Sequence, residues 1–188
     1  VNEKLSFEDF KKMKTGKVAL ADELILPLLE KINSVEYFCT TSSCAGRIML
    51  LEILSGKKDA KFYMKWHRRV DFDEFWKAVE EYKGKKELWL RCDPLILHLF
   101  AKDYASAIEF LGFVKSIGFK RFGLQHDKKH YFMEINGTQG MYLPLKQESE
   151  ILAGKEYAMF ALKKANEKLA KNYSMLEKFQ KEFAKKYL

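Results

Sequence analysis

The residues able to do chemistry fall in four short stretches. The first is Thr40-Thr41-Ser42-Ser43-Cys44-Ala45-Gly46-Arg47. Small hydroxyl residues let a backbone come close to a ligand. They offer amide and hydroxyl donors, and Arg47 adds a fork that fits a carboxylate or a phosphate. The plainer reading is a serine/glycine turn ending in a surface arginine. Cys44 serves as a nucleophile only where a neighbouring cation favours its thiolate; unpaired cysteines are more often small buried residues.

The second stretch is Lys65-Trp66-His67-Arg68-Arg69, with cations and aromatic rings interleaved. That pattern suits RNA, with bases stacked on rings and phosphates held by arginine. A charged strand end with Trp66 in the core fits equally well. His67 is a possible general base near neutral pH. In the third, Asp93-Pro94-Leu95-Ile96-Leu97-His98, an acid sits at a strand break and a histidine in an apolar strand. On pattern alone that histidine belongs to the core. The fourth, Asn136 to Pro144, is a second small polar loop and contains Thr138.

Other chemistries find little support. His126 and His130 share an HxxxH spacing, but two histidines of a turn need not converge, so no metal is expected. Three cysteines without a CxxC pair make neither a full disulfide set nor a clustered zinc site, and they fit a reducing, cytoplasmic location. GxG, GxxxxGK[ST], HExxH and DFG are all missing, so a nucleotide-like cofactor would not be held by a Rossmann glycine turn.

The elements that position these stretches can be read from patterning. A chain of 188 residues is expected to form one domain, burying roughly 70% of its unfolded surface. Only 3 Pro and 10 Gly exclude collagen-like and linker-rich classes. No apolar run approaches the ~20 residues of a membrane span. The opening VNEKLSFEDF lacks the pattern of a secretory signal.

Short helices are predicted at Ser6 to Lys14, with Ser6 and Asp9 as a capping pair ahead of Phe10 and Met13, and at Ala21 to Ile32. In the second, Leu24, Leu28, Leu29 and Ile32 share a face and Pro27 kinks the helix or shifts its start. Strands follow at Val35 to Thr41, Arg47 to Leu54 and Lys61 to His67, with a turn over Ser55 to Asp59. A helix from Asp71 to Tyr82 turns Phe72, Phe75, Trp76 and Val79 inward. Glu87 to Cys92 and Leu95 to Phe100 read as strands. Asp103 caps a helix to Ile117, with Gly118 at the left-handed position beyond it. Phe119 to Gln125 and His130 to Ile135 form a hairpin across Asp127 to Lys129, and Tyr142 to Leu145 a last strand.

The remainder is one long helix, with Ala158, Leu162, Ala165, Leu169, Leu176, Phe179, Phe183 and Tyr187 recurring at threes and fours. Thirty helical residues span roughly 45 Å. The irregular order predicts an α+β fold, a single compact domain with a mixed or antiparallel sheet. Residues 1–150 would form it, and 151–188 the helix packed on it or extending from it.

Net charge is +8, from 34 Lys+Arg against 26 Asp+Glu, which points to a polyanionic partner such as nucleic acid. Lysine mixed with glutamate in the tail fits an ion-paired helix surface equally well.

Taken in order, TTSSCAGRI, Trp66-His67, DPLILHL, SIGFKRFG and NGTQGMYLPL resemble the wybutosine-synthesizing protein 3 family of archaea and eukaryotes. The resemblance covers roughly Phe7 to Leu145, including ADELILPLLEKIN, and matches at Gly118, Gly123, Pro94 and Pro144 as well as in the stretches above.

It implies a methyltransferase, of a fold distinct from the Rossmann-like enzymes, that uses S-adenosylmethionine. The acceptor it implies is the N-4 ring nitrogen of 7-(3-amino-3-carboxypropyl)-4-demethylwyosine, beside the anticodon of phenylalanine tRNA. Ser42, Ser43, Cys44, Gly46, Arg47 and Thr138 would hold the cofactor, or a phosphate of the RNA. His67, His98 or Asp93 would take the proton. Lys65, Arg68, Arg69, Lys120 and Arg121 would face the anticodon stem-loop. The family often has serine where this chain has Ala45 and Phe122, so no essential hydroxyl is expected there. A monomer or homodimer is expected, with no membrane partner. Two other classes stay open: a non-catalytic RNA-binding module, and a thiol- or metal-dependent enzyme built on Cys44 and a histidine.

Overall fold

The computed structural model describes residues 7–15, 22–53, 60–126 and 130–188. In chain order the elements are α1 (Phe7–Thr15), α2 (Leu26–Ser34), β1 (Phe38–Thr40), β2 (Arg47–Ile53), β3 (Lys61–Trp66), α3 (Phe72–Glu81), β4 (Glu87–Asp93), β5 (Ile96–Ala101), α4 (Tyr104–Ser116), β6 (Arg121–His126), β7 (Tyr131–Asn136), β8 (Met141–Gln147), β9 (Glu150–Ile151) and α5 (Lys155–Tyr187). The strands form a four-stranded sheet, β1-β5-β7-β6, and a five-stranded sheet, β3-β2-β4-β8-β9. Every pairing between these strands is antiparallel. The fold is therefore α+β with antiparallel sheets and a long C-terminal helix. No helix among the described residues is long and apolar enough to cross a membrane. The expected capping residue Ser6, the start of a helix at Ala21 and the turns at 55–59 and 127–129 lie outside the described residues.

The chain divides into two units. One comprises Val1–Ala45, Leu95–Thr138 and Ser174–Leu188; the other comprises Gly46–Pro94 and Gln139–Tyr173.

In the first unit, α2 begins later than patterning suggests, because Pro27 falls in its first turn. Proline is tolerated there, where its missing N–H would have no partner in any case. Leu28, Leu29 and Ile32 are buried as expected, but Leu24 lies ahead of the helix and is 44% exposed.

Helix α4 matches expectation at both ends. The Asp103 carboxylate accepts from Ser106 N at 2.8 Å, and Gly118 (φ 107°) follows the C-cap Ile117. The Nζ of Lys178 donates to Ile117 O at 2.7 Å, placing a cation at the negative end of that helix. Phe110 of α4 meets Phe38 and, on α5, Phe179 and Phe183, and Val114 and Leu176 are buried too; all are 3% exposed or less.

The backbone N–H of Ser106 holds the Asp103 carboxyl below its usual value. A lowered carboxylate pKa stabilises the fold above the unfolded-state value, and that contribution is lost as pH falls through the folded one. Asp103→Ala is expected to cost about 1 kcal/mol near neutrality. In denaturant titrations the deficit should shrink below about pH 4.

In the second unit the five-stranded sheet turns one face inward. Ile48, Leu50, Leu88, Leu90, Cys92 and Leu145 meet Phe75, Trp76 and Val79 of α3 and Ala158, Leu162, Ala165 and Leu169 of α5. Phe72, expected inside, is only half-buried and stacks on Trp76 at 5.8 Å. Asp71 caps α3 through Glu74 N at 3.0 Å. At the other end of α3, Lys146, 3% exposed, donates to Val79 O and Tyr82 O at 3.3 and 3.0 Å, and burial lowers its pKa. The two-residue β9 is too short for periodicity to reveal.

Candidate functional site

In the first unit the hydroxyl-rich loop runs along the start of β5. Thr41 N donates to His98 O at 2.8 Å, and Cys44 and Ile96 exchange two backbone bonds of 2.9 Å. Gly137 N donates to Leu95 O at 2.7 Å, which brings the Gly137-Thr138 end of the second polar loop to the same strand. Ala45 N is held by Asp22 Oδ2 at 2.9 Å.

The side chains then form a chain of their own. Ser42 Oγ lies 3.2 Å from His98 Nδ1, and His98 Nε2 lies 3.0 Å from Glu134 Oε2. Glu134 Oε1 accepts from Asn136 Nδ2 at 2.6 Å, and Ser43 Oγ accepts from His98 N at 3.2 Å.

Strand parity explains the arrangement. Leu97, Leu99 and Ala101 take the inward positions of β5, so His98 points the other way, directly opposite Glu134 in the β5–β7 register. His98 is therefore not a core histidine; its side chain is 23% exposed. An imidazole between a hydroxyl and a carboxylate is held in one ring orientation. With Nε2 protonated toward Glu134, Nδ1 keeps its lone pair toward Ser42.

In the second unit, Gly46 is buried with φ 105°, a conformation only glycine adopts without strain. Arg47 and Asp93 are register partners on β2 and β4. Asp93 receives two guanidiniums, Arg47 at 3.5 Å on Oδ2 and Arg91 at 3.0 Å on Oδ1. Both arginine Nε atoms are buried and have no hydrogen-bond partner among the described residues. With both oxygens taken up, Asp93 orients cations and is poorly placed to accept a proton. His67 follows β3 and is half-buried, and its carbonyl accepts from Tyr173 OH at 2.7 Å.

The basic residues divide. Trp66 is 4% exposed in the core and donates to Glu74 Oε1 at 2.8 Å, so it offers no ring to RNA. Glu74 also binds Arg68 through two contacts of 2.7 and 3.0 Å, which lowers the carboxyl pKa and raises that of Arg68. Lys65, Arg69, Lys120 and Arg121 are exposed.

None of the three cysteines is in a disulfide. Burial pushes the Cys92 thiol up to about 11, while Cys44 is only half-buried. His126 stacks on Tyr131 at 4.5 Å, and His130 meets Phe7 and Phe100 edge-on. Glu134, Asp22 and Arg91 were not singled out by sequence. An acidic residue in phase with the outward positions of YFMEIN was the only available signal for Glu134.

Two antiparallel sheets set this α+β fold apart from the parallel sheet of Rossmann-like enzymes. The chain belongs to the family described as Methyltransferase TYW3, whose model matches residues 1–185. It is 35% identical over 162 residues to tRNA(Phe) 7-((3-amino-3-carboxypropyl)-4-demethylwyosine(37)-N(4))-methyltransferase 1 of Pyrococcus horikoshii, covering 85% of this chain and 82% of that protein. The corresponding methyltransferase 2 of Pyrococcus abyssi is 35% identical over 176 residues, 93% of this chain and 84% of its own. The solved PH1069 protein of Pyrococcus horikoshii has the same fold, with a TM-score of 0.87, 32% identity, and coverage of 95% of this chain and 96% of that one.

Proposed function

We propose that this chain transfers a methyl group from S-adenosylmethionine to the N-4 ring nitrogen of 7-(3-amino-3-carboxypropyl)-4-demethylwyosine in phenylalanine tRNA, beside the anticodon. The observation that carries this reading is the identity of about one third, over most of both chains, to relatives named for that reaction. When bound, S-adenosylmethionine would supply an electrophilic methyl on a sulfonium, with the neutral thioether as leaving group, so positioning and desolvation supply most of the rate.

The acceptor nitrogen loses its proton as the N–C bond forms, and His98 is the base best supported. Glu134 orients its ring and offsets the charge of the imidazolium, and Ser42 stands between Nδ1 and solvent, able to relay a proton. His67 is the second candidate. Asp93 is the weakest, because both its oxygens already meet arginine. Arg47 is assigned to the carboxylate of the cofactor, because its guanidinium is part-exposed and meets Asp93 at a long 3.5 Å. Ser42, Ser43, Cys44, Gly46 and Thr138 are assigned to the cofactor with it. Lys65, Arg68, Arg69, Lys120 and Arg121 are assigned to the anticodon stem-loop.

The test is to incubate the chain with S-adenosylmethionine bearing a deuterated methyl and tRNA carrying the unmethylated base, then weigh the nucleosides. One labelled methyl on the tricyclic base is expected. Tight tRNA binding with no label and no cofactor uptake would replace this reading with a non-catalytic RNA-binding module.

Two further results follow. Removing an arginine that neutralises a phosphate should lower the slope of log K against log salt by about 0.7 to 0.9. Arg69→Ala should show that change in filter-binding titrations. Arg68→Ala should show less, because Glu74 already neutralises Arg68. Cys44→Ala should retain methyl transfer in the labelling assay, since displacement at a sulfonium needs no thiol. Abolished kcat with an unchanged KM for S-adenosylmethionine would restore the thiol mechanism, whereas a raised KM alone would reflect the place of Cys44 at the cofactor.

A further inference from the structure

The five-stranded sheet has a second face, turned away from the cluster it forms with α3 and α5. Alternation and register align two rungs on it: Lys65, Met49, Arg91 and Tyr142, and beside them Phe62, Leu51, Trp89 and Pro144. The middle residues Met49 and Leu51 are 1% and 3% exposed, whereas the flanking rings of Phe62 and Tyr142 are 57% and 55% exposed. Each exposed ring carries a guanidinium. Arg47 lies 5.0 Å from the centroid of Phe62 and Arg91 lies 4.6 Å from that of Tyr142. Asp93 anchors both arginines.

A solvated sheet face ordinarily alternates to polar residues. Two open rings on one face, each backed by a fixed cation, are the parts of a base-stacking surface. Charge favours an anionic occupant. Arg47, Arg91 and Lys65 lie on this face. Of its acids, Asp93 is occupied by two arginines, Glu87 accepts from Trp89 Nε1 at 2.9 Å, and Glu150 stands at the far edge on β9. The whole chain carries +8.

We infer that this face is a stacking platform for unpaired bases of the RNA substrate, with Phe62 and Tyr142 each receiving one base and Lys65 a neighbouring phosphate. The inference rests on the tRNA reading above and deepens it. β3 and β8 are separated by two intervening strands, which sets the rings about 14 Å apart across the sheet. Such a spacing suits two non-adjacent nucleotides of one loop. Stacking selects for unpaired nucleotides with little regard to sequence, so the platform recognises an open loop and leaves the modified base to the catalytic residues.

The experiment measures affinity of the full chain for a fluorescent anticodon stem-loop RNA at several salt concentrations. The variants are Phe62→Ala, Tyr142→Ala, the double variant and the ring-keeping Phe62→Tyr, with thermal melts as a control on folding. Each alanine variant is expected to weaken binding about 5- to 100-fold with an unchanged salt slope, because no charge is removed. Phe62→Tyr should bind as the parent does. A folded double variant with parental affinity would overturn the inference. So would one whose oligomeric state changes while RNA affinity does not, since the face would then belong to a second copy. The two readings fail separately. Methyl transfer with an unchanged KM for tRNA in the double variant removes the platform alone. Loss of binding in that variant, without any transfer by the parent chain, removes the methyltransferase alone.

Discussion

Replacing His98 with alanine is expected to lower the kcat for methyl transfer by about 10²- to 10⁴-fold, the usual contribution of a positioned general base. The KM for tRNA and for S-adenosylmethionine should change little. The side chain lies on the outward face of β5, so its removal empties no core position. Ser42 and Glu134, the groups it leaves behind, are both exposed and can turn to water at small cost. The kcat-against-KM split separates a proton acceptor from a structural residue, because loosening the sheet would raise both KM values as well. An unchanged kcat in His98→Ala would transfer the role to His67, and the same split measured on His67→Ala would then decide.

The largest expected loss of stability is at Phe110. Its ring is fully buried, 4.8 Å from that of Phe38, 6.2 Å from Phe179 and 6.3 Å from both Phe183 and Tyr187. With Phe113 at 6.1 Å as a fifth neighbour, Phe110→Ala removes one side of five ring contacts at once. A cost of about 3 to 5 kcal/mol is expected. That is a large fraction of the roughly 5 to 15 kcal/mol that holds a domain folded. Urea unfolding should show a midpoint shifted accordingly, and a loss under 1 kcal/mol would mean that the site repacks. Substitution of exposed Tyr104, six residues earlier, should move the midpoint far less.

What was legible in the sequence was mostly local. Asp103 and Gly118 bound α4 because a carboxylate and a left-handed glycine solve the end problems of a helix wherever it lies. The threes and fours of Leu162, Leu169, Phe179 and Phe183 made α5 plain. The candidate site was legible only by parts. Ser42 and His98 both drew notice, but nothing local says that positions 56 residues apart share a hydrogen bond. That follows from the β1–β5 pairing and the Cys44–Ile96 bridge. Glu134 needs the β5–β7 register as well. Trp66 and Arg68 look like RNA contacts until Glu74, on a different element, engages both. Chemistry came from resemblance rather than composition, since a charge of +8 names a polyanion and no reaction.

The first unit draws on three stretches of chain, and the last of them, from Ser174, supplies Leu176, Phe179 and Phe183 to its core. On the ribosome, that core cannot close while the C-terminal part of α5 is still being synthesised. Until then the aromatic cluster around Phe38 and Phe110 lacks its cover and is exposed to aggregation. The contacts that end this exposure join residues far apart in the chain, Phe110 with Phe179 and Phe183 and Phe38 with Tyr187, a topology associated with slow folding. A nascent chain halted before Leu176 should therefore be protease-sensitive in this unit, and release of the final turns should be the step that protects it.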